Sequence, residues 1–572
     1  MRRKSNTSRS RFFTALLALS TVASPAWSQS TQLPGTVSPG RINQQFQPAP
    51  SRPDVSTAPV TKEALPGVDV PEASKKIFLT LNEVEFEGVT AFTKSDFINY
   101  YQSLIGERVP LSKIYEVAAA ITNKYHADGY VFAQVIIPDQ TIASGVVRLV
   151  VIEGHLGKVN VEAPKAMQEK LRTRVEHLLA ASPFNVNTLE RQLLLLNDLY
   201  GITVRSVLKP DPAAAIPGAV DVTLLVKKEK PSTSLSFDNY GSRPIGQEQV
   251  GAQHTRGLGL FSFDKLTLGG FISTQMSELQ YIFLGYEVPV SEEGTKLGFS
   301  VNNSWTEPGY PLENNELEGK SFNASATLSH PFIRSRSQNL TLSGIFDYQD
   351  TENDALQTLL FEDKIRVARL NAIYDVADDW QGTNLMNMQV SQGLNIFGAT
   401  ETGSANLSRE DAHSDFITLK ASAARWQYLS PAWTLYATAS GQVSDAPLPS
   451  SEEFGYGGQV YGRAYNSSEI TGDEGIAAAV EMRYTDLPST PWGGDVEPFA
   501  FYDIGLVYNE DNFVENRSVS GASAGLGTRF DVTEDINGTL TLAFPLTLPV
   551  GIPSPGGTPG SGRLFFSLGY DF

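Results

Sequence analysis

Two charged residues of this sequence stand where a charge needs a partner. Arg463 follows Gly462 in a segment rich in glycine and tyrosine, and Asp503 interrupts an otherwise apolar stretch, residues 499–508. A carboxylate in apolar surroundings is costly unless it is solvated or paired, and a guanidinium can bind it through two parallel hydrogen bonds. The residue types therefore allow an ion pair between Arg463 and Asp503, whose role depends on the surrounding fold.

Catalytic and cofactor sites are not indicated. The sequence contains no cysteine, hence neither a disulfide nor a thiolate nucleophile, and its six histidines are scattered without metal-ligand spacing. Residues 318–321 end like a phosphate-binding loop, but Asn314 occupies the place of the required first glycine. We therefore expect that the protein is not an enzyme and that it binds neither a metal ion nor a cofactor.

The first residues indicate export. Five cations between residues 2 and 11 precede a largely apolar run, 12–23, and small residues follow at positions 26 and 28. This stretch is too short to span a bilayer, so we expect residues 1–28 to be a cleaved signal peptide. Without it, 39 lysines and arginines face 63 acidic residues. The resulting charge near −24 argues against nucleic acid as a partner.

Residues 29–76 are rich in proline, serine, threonine and glutamine, a composition that cannot bury a core. We interpret them mainly as a linker. Ile42 and Phe46 have the i, i+4 spacing of one helical face, so a short helix within the linker is the alternative.

Two consecutive units of about 75 residues follow, 77–155 and 156–229. In the first, the nearly alternating stretch 79–86 and the stretch 130–137 predict strands. Five apolar residues at helical spacing lie between them: Ile114, Val117, Ala118, Ile121 and Tyr125. The second unit repeats the order of strands and helices. The pattern predicts a tandem of small α+β domains.

Residues 230–572 change to period-two alternation. About sixteen stretches can be read as strands, with about 21 residues for each strand and its connection, which suits membrane strands of about 9–11 residues. No later run of 18 apolar residues occurs. A chain that crosses a membrane by strands must close them into a barrel, because lipid cannot satisfy a free sheet edge. The expected fold class is a transmembrane antiparallel β-barrel that is preceded in the chain by two α+β domains.

The connection from about Asp445 to Gly475 is long for a barrel hairpin. It either packs on the rim or folds into the lumen with Arg463 directed at Asp503. Alternation favours the inner wall for Asp503, since Tyr502 and Ile504 then belong to an apolar outer face.

These segments resemble motifs of two-partner-secretion transporters of the haemolysin-activator type, within the wider BamA-like superfamily. The tandem resembles polypeptide-transport-associated (POTRA) domains, and residues 237–243 resemble the first barrel strand of that family. The tip of its inward-folded loop is similar to Gly462, Arg463, Ala464 and Tyr465, although Ala464 stands at a usual glycine. Its Phe-x-Asp-x-Gly strand motif is similar to Phe501, Asp503 and Gly505, and its C-terminal aromatic assembly signal to Phe572.

The resemblance implies an outer-membrane location with the POTRA domains in the periplasm. It implies export of an unfolded partner exoprotein, of the adhesin or haemolysin type, and contacts with outer-membrane lipid and the barrel assembly machinery. It further implies that an N-terminal helix can plug the lumen at rest. Because a plug must leave for the client to pass, we expect polar contacts to hold it weakly. The alternatives are a BamA-like insertase, which usually carries a longer POTRA array, and a passive porin or outer-membrane enzyme, neither of which accounts for the tandem.

Overall fold

The structure is a computed structural model that describes residues 34–47, 49–55, 70–142, 144–179, 182–211, 218–488, 494–510 and 517–572. The expected signal peptide, 1–28, lies outside the described residues. The described chain begins with two 3-10 turns, Gly35–Val37 and Pro39–Arg41, which lead into a one-turn helix, α1 (Ile42–Gln45). We call residues 34–47 the N-terminal segment.

The first α+β unit packs two helices on a small sheet. Its elements are β1 (Phe78–Thr80), β2 (Glu83–Glu87), α2 (Ile98–Tyr101), β3 (Arg108–Pro110), α3 (Leu111–Ala127), β4 (Gln134–Ile136) and β5 (Val146–Ile152). Strand β5 lies between β2, which is parallel to it, and the antiparallel β4. The five apolar residues at helical spacing all lie on α3 and are buried, which confirms that helix.

Two strand predictions in this unit were too long. The stretch 79–86 is broken at Leu81 and Asn82, whose amides bind the carbonyls of Glu107 and Gly145 instead of continuing one ladder. The predicted strand 130–137 contracts to β4, because its first residues turn back onto the end of α3.

The second unit has the same layout and its own core. Its elements are β6 (His155–Glu162), α4 (Lys165–Leu179), α5 (Val186–Asn197), β7 (Ile202–Pro210) and β8 (Ala219–Lys228). Strand β8 lies between the parallel β6 and the antiparallel β7. Among the described residues, no helix is both long and apolar enough to cross a membrane.

Within the described part of the chain, sixteen antiparallel strands close a barrel, which confirms the predicted fold class. The first eight are β9 (Ser232–Asp238), β10 (Gln249–Arg256), β11 (Lys265–Ser273), β12 (Gln280–Pro289), β13 (Lys296–Thr306), β14 (Leu317–Arg334), β15 (Gln338–Ala355) and β16 (Thr358–Ala377). Next come β17 (Gly382–Gly393), β18 (Ile417–Tyr428) and β19 (Trp433–Ser444), then the short hairpin β20 (Phe454–Tyr456) and β21 (Ile470–Gly472), which is not one of the barrel strands. The last five are β22 (Glu474–Tyr484), β23 (Val496–Tyr508), β24 (Ser518–Asp531), β25 (Ile536–Pro545) and β26 (Arg563–Asp571).

The barrel closes where β26 pairs with β9, from Ser567 opposite Asp238 to Asp571 opposite Ser234. Strand length differs from the expectation of 9–11 residues: β14 and β15 have 18 residues each and β16 has 20. These three continue to pair with one another beyond the ends of their neighbours, so bilayer thickness does not limit them.

The second α+β unit is fixed to one end of the barrel. Arg334, at the end of β14, binds both carboxylate oxygens of Asp198 at 2.7 and 2.8 Å. Arg174 on α4 donates to the carbonyls of Ser291 and Glu292 in the turn after β12. Because successive strands run in opposite directions, the connections after β17 and β19 lie at the other end of the barrel.

Candidate functional site

The connection between β19 and β22 folds into the barrel. We call residues 445–473 the inward loop. Its hairpin, β20 with β21, carries Tyr456, and Tyr465 follows near the tip; both aromatic rings are buried against strands β22 to β24. The hydroxyl of Tyr465 donates to the carbonyls of Ala522 and Leu548 at 3.1 and 2.8 Å. The loop therefore lies along the inner wall and not on the rim.

The structure brings Arg463 and Asp503 together. The carboxylate of Asp503 is fully buried and accepts from the Arg463 guanidinium, with an Nη2–Oδ1 distance of 2.7 Å and an Nε–Oδ2 distance of 3.1 Å. It also accepts from the Arg463 amide at 2.9 Å and from the Ser523 hydroxyl at 3.1 Å. Four donors to one buried carboxylate fix both the side chain and the backbone of the loop tip.

A second carboxylate, which was not predicted from the sequence, also binds Arg463. Glu481 on β22 is 1% exposed and accepts from Arg463 Nη1, from Arg483 Nε at 2.7 Å and from Arg529 Nη2 at 2.8 Å. Arg529 in turn binds Glu497 at 2.9 Å. Three arginines and three carboxylates thus form one balanced network, which offsets the cost of burying its charges.

A signal for Glu481 was present in the sequence. Its neighbours at period two on β22 are Gly475, Ala477 and Ala479, all on the inner face of the strand. A carboxylate that continues such a row of small inward residues points into the lumen beside the loop. It lies opposite Phe501 in the strand register.

The other two residues of the strand motif serve the loop directly. The Arg463 guanidinium lies 3.6 Å from the ring centroid of Phe501, a cation–π contact. A Cβ at Gly505 would be 2.2 Å from Cδ2 of Tyr456, so only glycine leaves room for that ring. Gly521, opposite Gly505 on β24, leaves room for the same Tyr456 ring, so the two glycines together form a flat surface beneath it.

Neighbouring residues at the loop tip have different structural roles. Gly462 has a φ of +72°, which favours glycine, and it sets the turn before Arg463. Ala464 is fully buried against Phe499, Phe501 and other inner-wall residues, and its φ is not positive. The usual glycine is thus not needed at 464, since the left-handed residue is 462.

The two ends of the barrel sequence meet at its seam. The amide of Phe572 donates to the Thr233 carbonyl at 2.9 Å, and the Thr233 amide donates back at 2.8 Å. The Phe572 ring is exposed and stacks on Tyr570. Within the 237–243 motif, Tyr240 stacks on Phe565 of β26 on the inner side.

The N-terminal segment lies inside the barrel and touches the wall on one side and the inward loop on the other. The Arg41 guanidinium is buried and donates to the carbonyls of Ser450 and Glu453 at 2.6 and 3.0 Å. On the wall, Ser304 of β13 donates to the Pro39 carbonyl at 3.1 Å. The segment therefore bridges across the lumen.

Its contacts are more apolar than the expectation of a weak polar hold. Ile42 packs with Ile245 and Tyr281, and the Phe46 ring stacks on Phe271 with centroids 4.0 Å apart. The inner wall at β11 and β12 offers an aromatic surface that this i, i+4 pair covers. The expectation was incomplete because it treated the inner wall as uniformly polar.

Comparisons with known proteins agree with this geometry. The family model described as haemolysin secretion/activation protein ShlB/FhaC/HecB matches residues 218–528, more than half of the chain. The chain belongs to this family. A second model, the ShlB-type POTRA domain, matches residues 79–154.

Individual relatives are distant but cover most of the chain. The heme/hemopexin transporter protein HuxB of Haemophilus influenzae is 24% identical over 78% of this chain and 79% of its own length. The outer membrane transporter CdiB of Escherichia coli is 22% identical over 82% and 79%. The solved structure of CdiB from Escherichia coli matches with a TM-score of 0.72 at 19% identity, covering 91% of this chain and 94% of that chain; CdiB from Acinetobacter baumannii gives 0.64 at 16% identity, covering 93% and 95%.

Family membership fixes location and class of function. The chain is an outer-membrane two-partner-secretion transporter that exports a partner exoprotein, and its POTRA domains lie in the periplasm. The barrel end that binds α4 and Asp198 is therefore the periplasmic end. The connections after β17 and β19 start at the extracellular end.

Proposed function

We propose that the exoprotein crosses the barrel as an unfolded chain, and that the N-terminal segment occupies its path at rest and leaves during export. The observation that carries this proposal is the position of Arg41 and Ile42, which touch the inward loop and the wall at the same time. A segment that bridges the lumen must move before another chain can pass. A folded client is wider than the segment, whereas one extended chain is of similar width.

The Arg463 network holds the inward loop against one wall and so defines the remaining channel. Arg463 binds Asp503 and Glu481 on adjacent strands, β23 and β22. Such a network keeps one arrangement while a client slides past, because separating Arg463 from Asp503 leaves that buried carboxylate without a charged partner. Arg463, Asp503 and Glu481 are positioning residues in this proposal.

The POTRA units receive the client before it enters the barrel. In the second unit, β7 is nine residues long and, among the described residues, pairs only with β8. Val207 on β7 is half exposed. An extended client can add a strand at such an edge through main-chain hydrogen bonds with little demand on its sequence. A purified fragment of residues 70–229 should therefore bind an unfolded N-terminal client fragment more tightly than the folded one.

Transport requires no catalysed reaction in this proposal. Folding of the client outside the cell removes unfolded chain from the equilibrium between the two sides of the membrane. This makes export the favoured direction of transport. The exposed apolar side chains on the outer wall, such as Leu526 and Leu564, contact outer-membrane lipid. The barrel assembly machinery inserts the barrel, with Phe572 as part of its signal.

Co-expression with a candidate exoprotein, such as a large one encoded by a neighbouring gene, tests export. We expect the exoprotein to reach the surface or medium when the chain is present and to remain in the periplasm when it is absent. Levels of other outer-membrane barrels should not change. A general loss of other barrels upon depletion, with export unaffected, would instead indicate a BamA-like insertase.

A further inference from the structure

Arg409 connects two loops at the extracellular end. It lies in the connection between β17 and β18, which we call the surface loop (394–416). Its side chain is 1% exposed and binds both carboxylate oxygens of Asp473, with an Nη2–Oδ2 distance of 3.0 Å. It also donates to the Leu448 carbonyl at 2.9 Å. A bidentate pair buried this completely fixes the surface loop to the base of the inward loop.

The surface loop makes further bonds to one stretch of the inward loop, residues 447–453, which we call the shared segment. The His413 amide donates to the Pro447 carbonyl at 2.9 Å. The Ser450 amide donates to the Ser408 hydroxyl at 3.0 Å. The shared segment therefore supports the underside of the surface loop.

The opposite side of the shared segment faces the N-terminal segment. Arg41 donates to the carbonyls of Ser450 and Glu453, and the Gln44 amide group donates to the Ser451 carbonyl at 3.0 Å. Ser450 thus binds the surface loop through its amide and Arg41 through its carbonyl. These contacts run without interruption from the lumen to the extracellular loop.

We propose that the shared segment transmits release of the N-terminal segment to the surface loop, so that the Arg409–Asp473 pair keeps the outer mouth closed while Arg41 remains in place. When Arg41 leaves, the shared segment loses its charged donor from below. The surface loop is then attached to a less ordered shared segment, and the equilibrium between closed and open states of the outer mouth shifts towards the open one. Entry of the client at the periplasmic end and opening of the mouth at the extracellular end are coupled in this way.

This inference rests on the proposed function, in which the N-terminal segment leaves the lumen. Its test needs no client, so its failure is distinguishable from a failure of export. The chain contains no cysteine, and Ala412 in the surface loop is 2% exposed. An Ala412→Cys variant reports loop opening through its reaction with a membrane-impermeant maleimide on intact cells. Ser404→Cys, at an exposed site in the same loop, gives the labelling rate of a position that is always accessible.

Arg41→Ala should raise the labelling rate of Cys at 412 by about tenfold or more, as loss of hydrogen bonds from a charged donor implies. Gln45→Ala is the matched control. Gln45 lies four residues further along the N-terminal segment, on α1, but binds Gln249 of the wall, so its replacement should leave the rate unchanged. Arg409→Lys, which keeps the charge but loses the two-point contact, should raise labelling while Arg41 is intact.

An unchanged labelling rate in Arg41→Ala would overturn the coupling, and an equal increase in Gln45→Ala would overturn the specific role of Arg41 in it. An unchanged rate in Arg409→Lys would overturn the role of the Arg409–Asp473 pair. Heat-modifiable gel mobility of each variant establishes that the barrel is folded. If a variant does not fold, the pair exchange Arg409→Asp with Asp473→Arg supplies the second test, with restored low labelling expected and high labelling contrary to the proposal.

Discussion

Gly462 lies against the ring of Tyr456: a Cβ at residue 462 would be 2.7 Å from ring atoms Cε1 and Cζ. The same ring fills the space above Gly505 and Gly521 on the wall. Tyr456 is therefore enclosed between the loop tip and the barrel. The conformation of the tip depends on a glycine at 462 for both its positive φ and this close approach.

Gly462→Ala should impair secretion more than Ala464→Gly. The first change adds a clash with Tyr456 and strain at a φ of +72°, whereas the second removes one buried methyl group and adds backbone freedom, each worth about 1 kcal/mol. Secretion per assembled barrel is the measurement. Gly259→Ala is the matched control, since Gly259 has a φ of +78° but open space around its Cβ position. Equal effects at 462 and 259 would mean that strain alone matters.

Arg463→Ala should lower client secretion while the barrel still assembles. Removal of the guanidinium leaves the buried Asp503 without its charged partner, a loss of about 3–5 kcal/mol in loop anchoring. The double variant with Asp503→Ala should hold the loop better than the single one, because no carboxylate is then left unpaired. Protease sensitivity of the inward loop measures this order, and Arg256→Ala, at an exposed site, serves as control. Wild-type secretion from Arg463→Ala would contradict a positioning role.

Deletion of residues 34–47 should raise ion conductance in planar bilayers and change secretion only modestly. The segment bridges from Ser304 on the wall to Ser450 on the inward loop, so its loss widens the water-filled lumen. Ile42→Asn, which disrupts its apolar contact with Ile245 and Tyr281, should give an intermediate conductance. Conductance equal to that of the intact chain would mean that the segment does not limit the pore.

Glu153 should make the first POTRA unit sensitive to acid. Its carboxylate accepts from the amides of Thr90 and Ala91 at 2.9 and 3.0 Å and from the Tyr125 hydroxyl at 2.7 Å. Burial alone would raise the pKa of Glu153, but the hydrogen bonds from Thr90 and Ala91 outweigh it and lower that pKa. Since the folded-state pKa is the lower one, the stabilisation is present above the unfolded pKa of about 4.3 and is lost as pH falls below it.

Glu153→Gln should therefore lower the free energy of unfolding of fragment 70–229 by about 1–3 kcal/mol at pH 7. The difference from the unmodified fragment should shrink towards pH 3. Denaturant titrations at both pH values measure it, with the exposed Glu85→Gln as control. A difference that is constant with pH would show that the ionised form is not what stabilises this fold.

The sequence predicted the barrel and α3 because period-two and i, i+4 patterns report which face is buried, whatever the partner. It did not predict Glu481 as a third member of the Arg463 network, since that requires knowing that β22 and β23 are adjacent and in which register. Nor did it predict the Arg409–Asp473 pair, whose members are 64 residues apart in different loops. Contacts between loops form only because the barrel closes, and they produce no periodic pattern in the sequence.

Strand ends were the least accurate prediction for a related reason. At β1 and β2 a single alternating stretch is divided because Leu81 turns into the core, where it is fully buried. At β14 to β16 the strands have 18 to 20 residues, well beyond the length of about 9–11 expected of a membrane strand. In both places tertiary contacts, and not local preference, decide where the ladder stops.

Phe572→Ala should reduce the amount of assembled barrel without changing export per barrel. The backbone of Phe572 closes the seam with Thr233, and these bonds survive a change of side chain. Phe572 is 59% exposed, and its ring lies on the outer face, where it is available to the assembly machinery before insertion. The folded product should keep its heat-modifiable mobility, and quantification of folded barrel in outer-membrane fractions gives the yield. Leu564→Ala, an outward residue at the other end of β26 that is 58% exposed, is the matched control, and an equal loss of yield there would assign the effect to general apolar surface and not to the C-terminal aromatic.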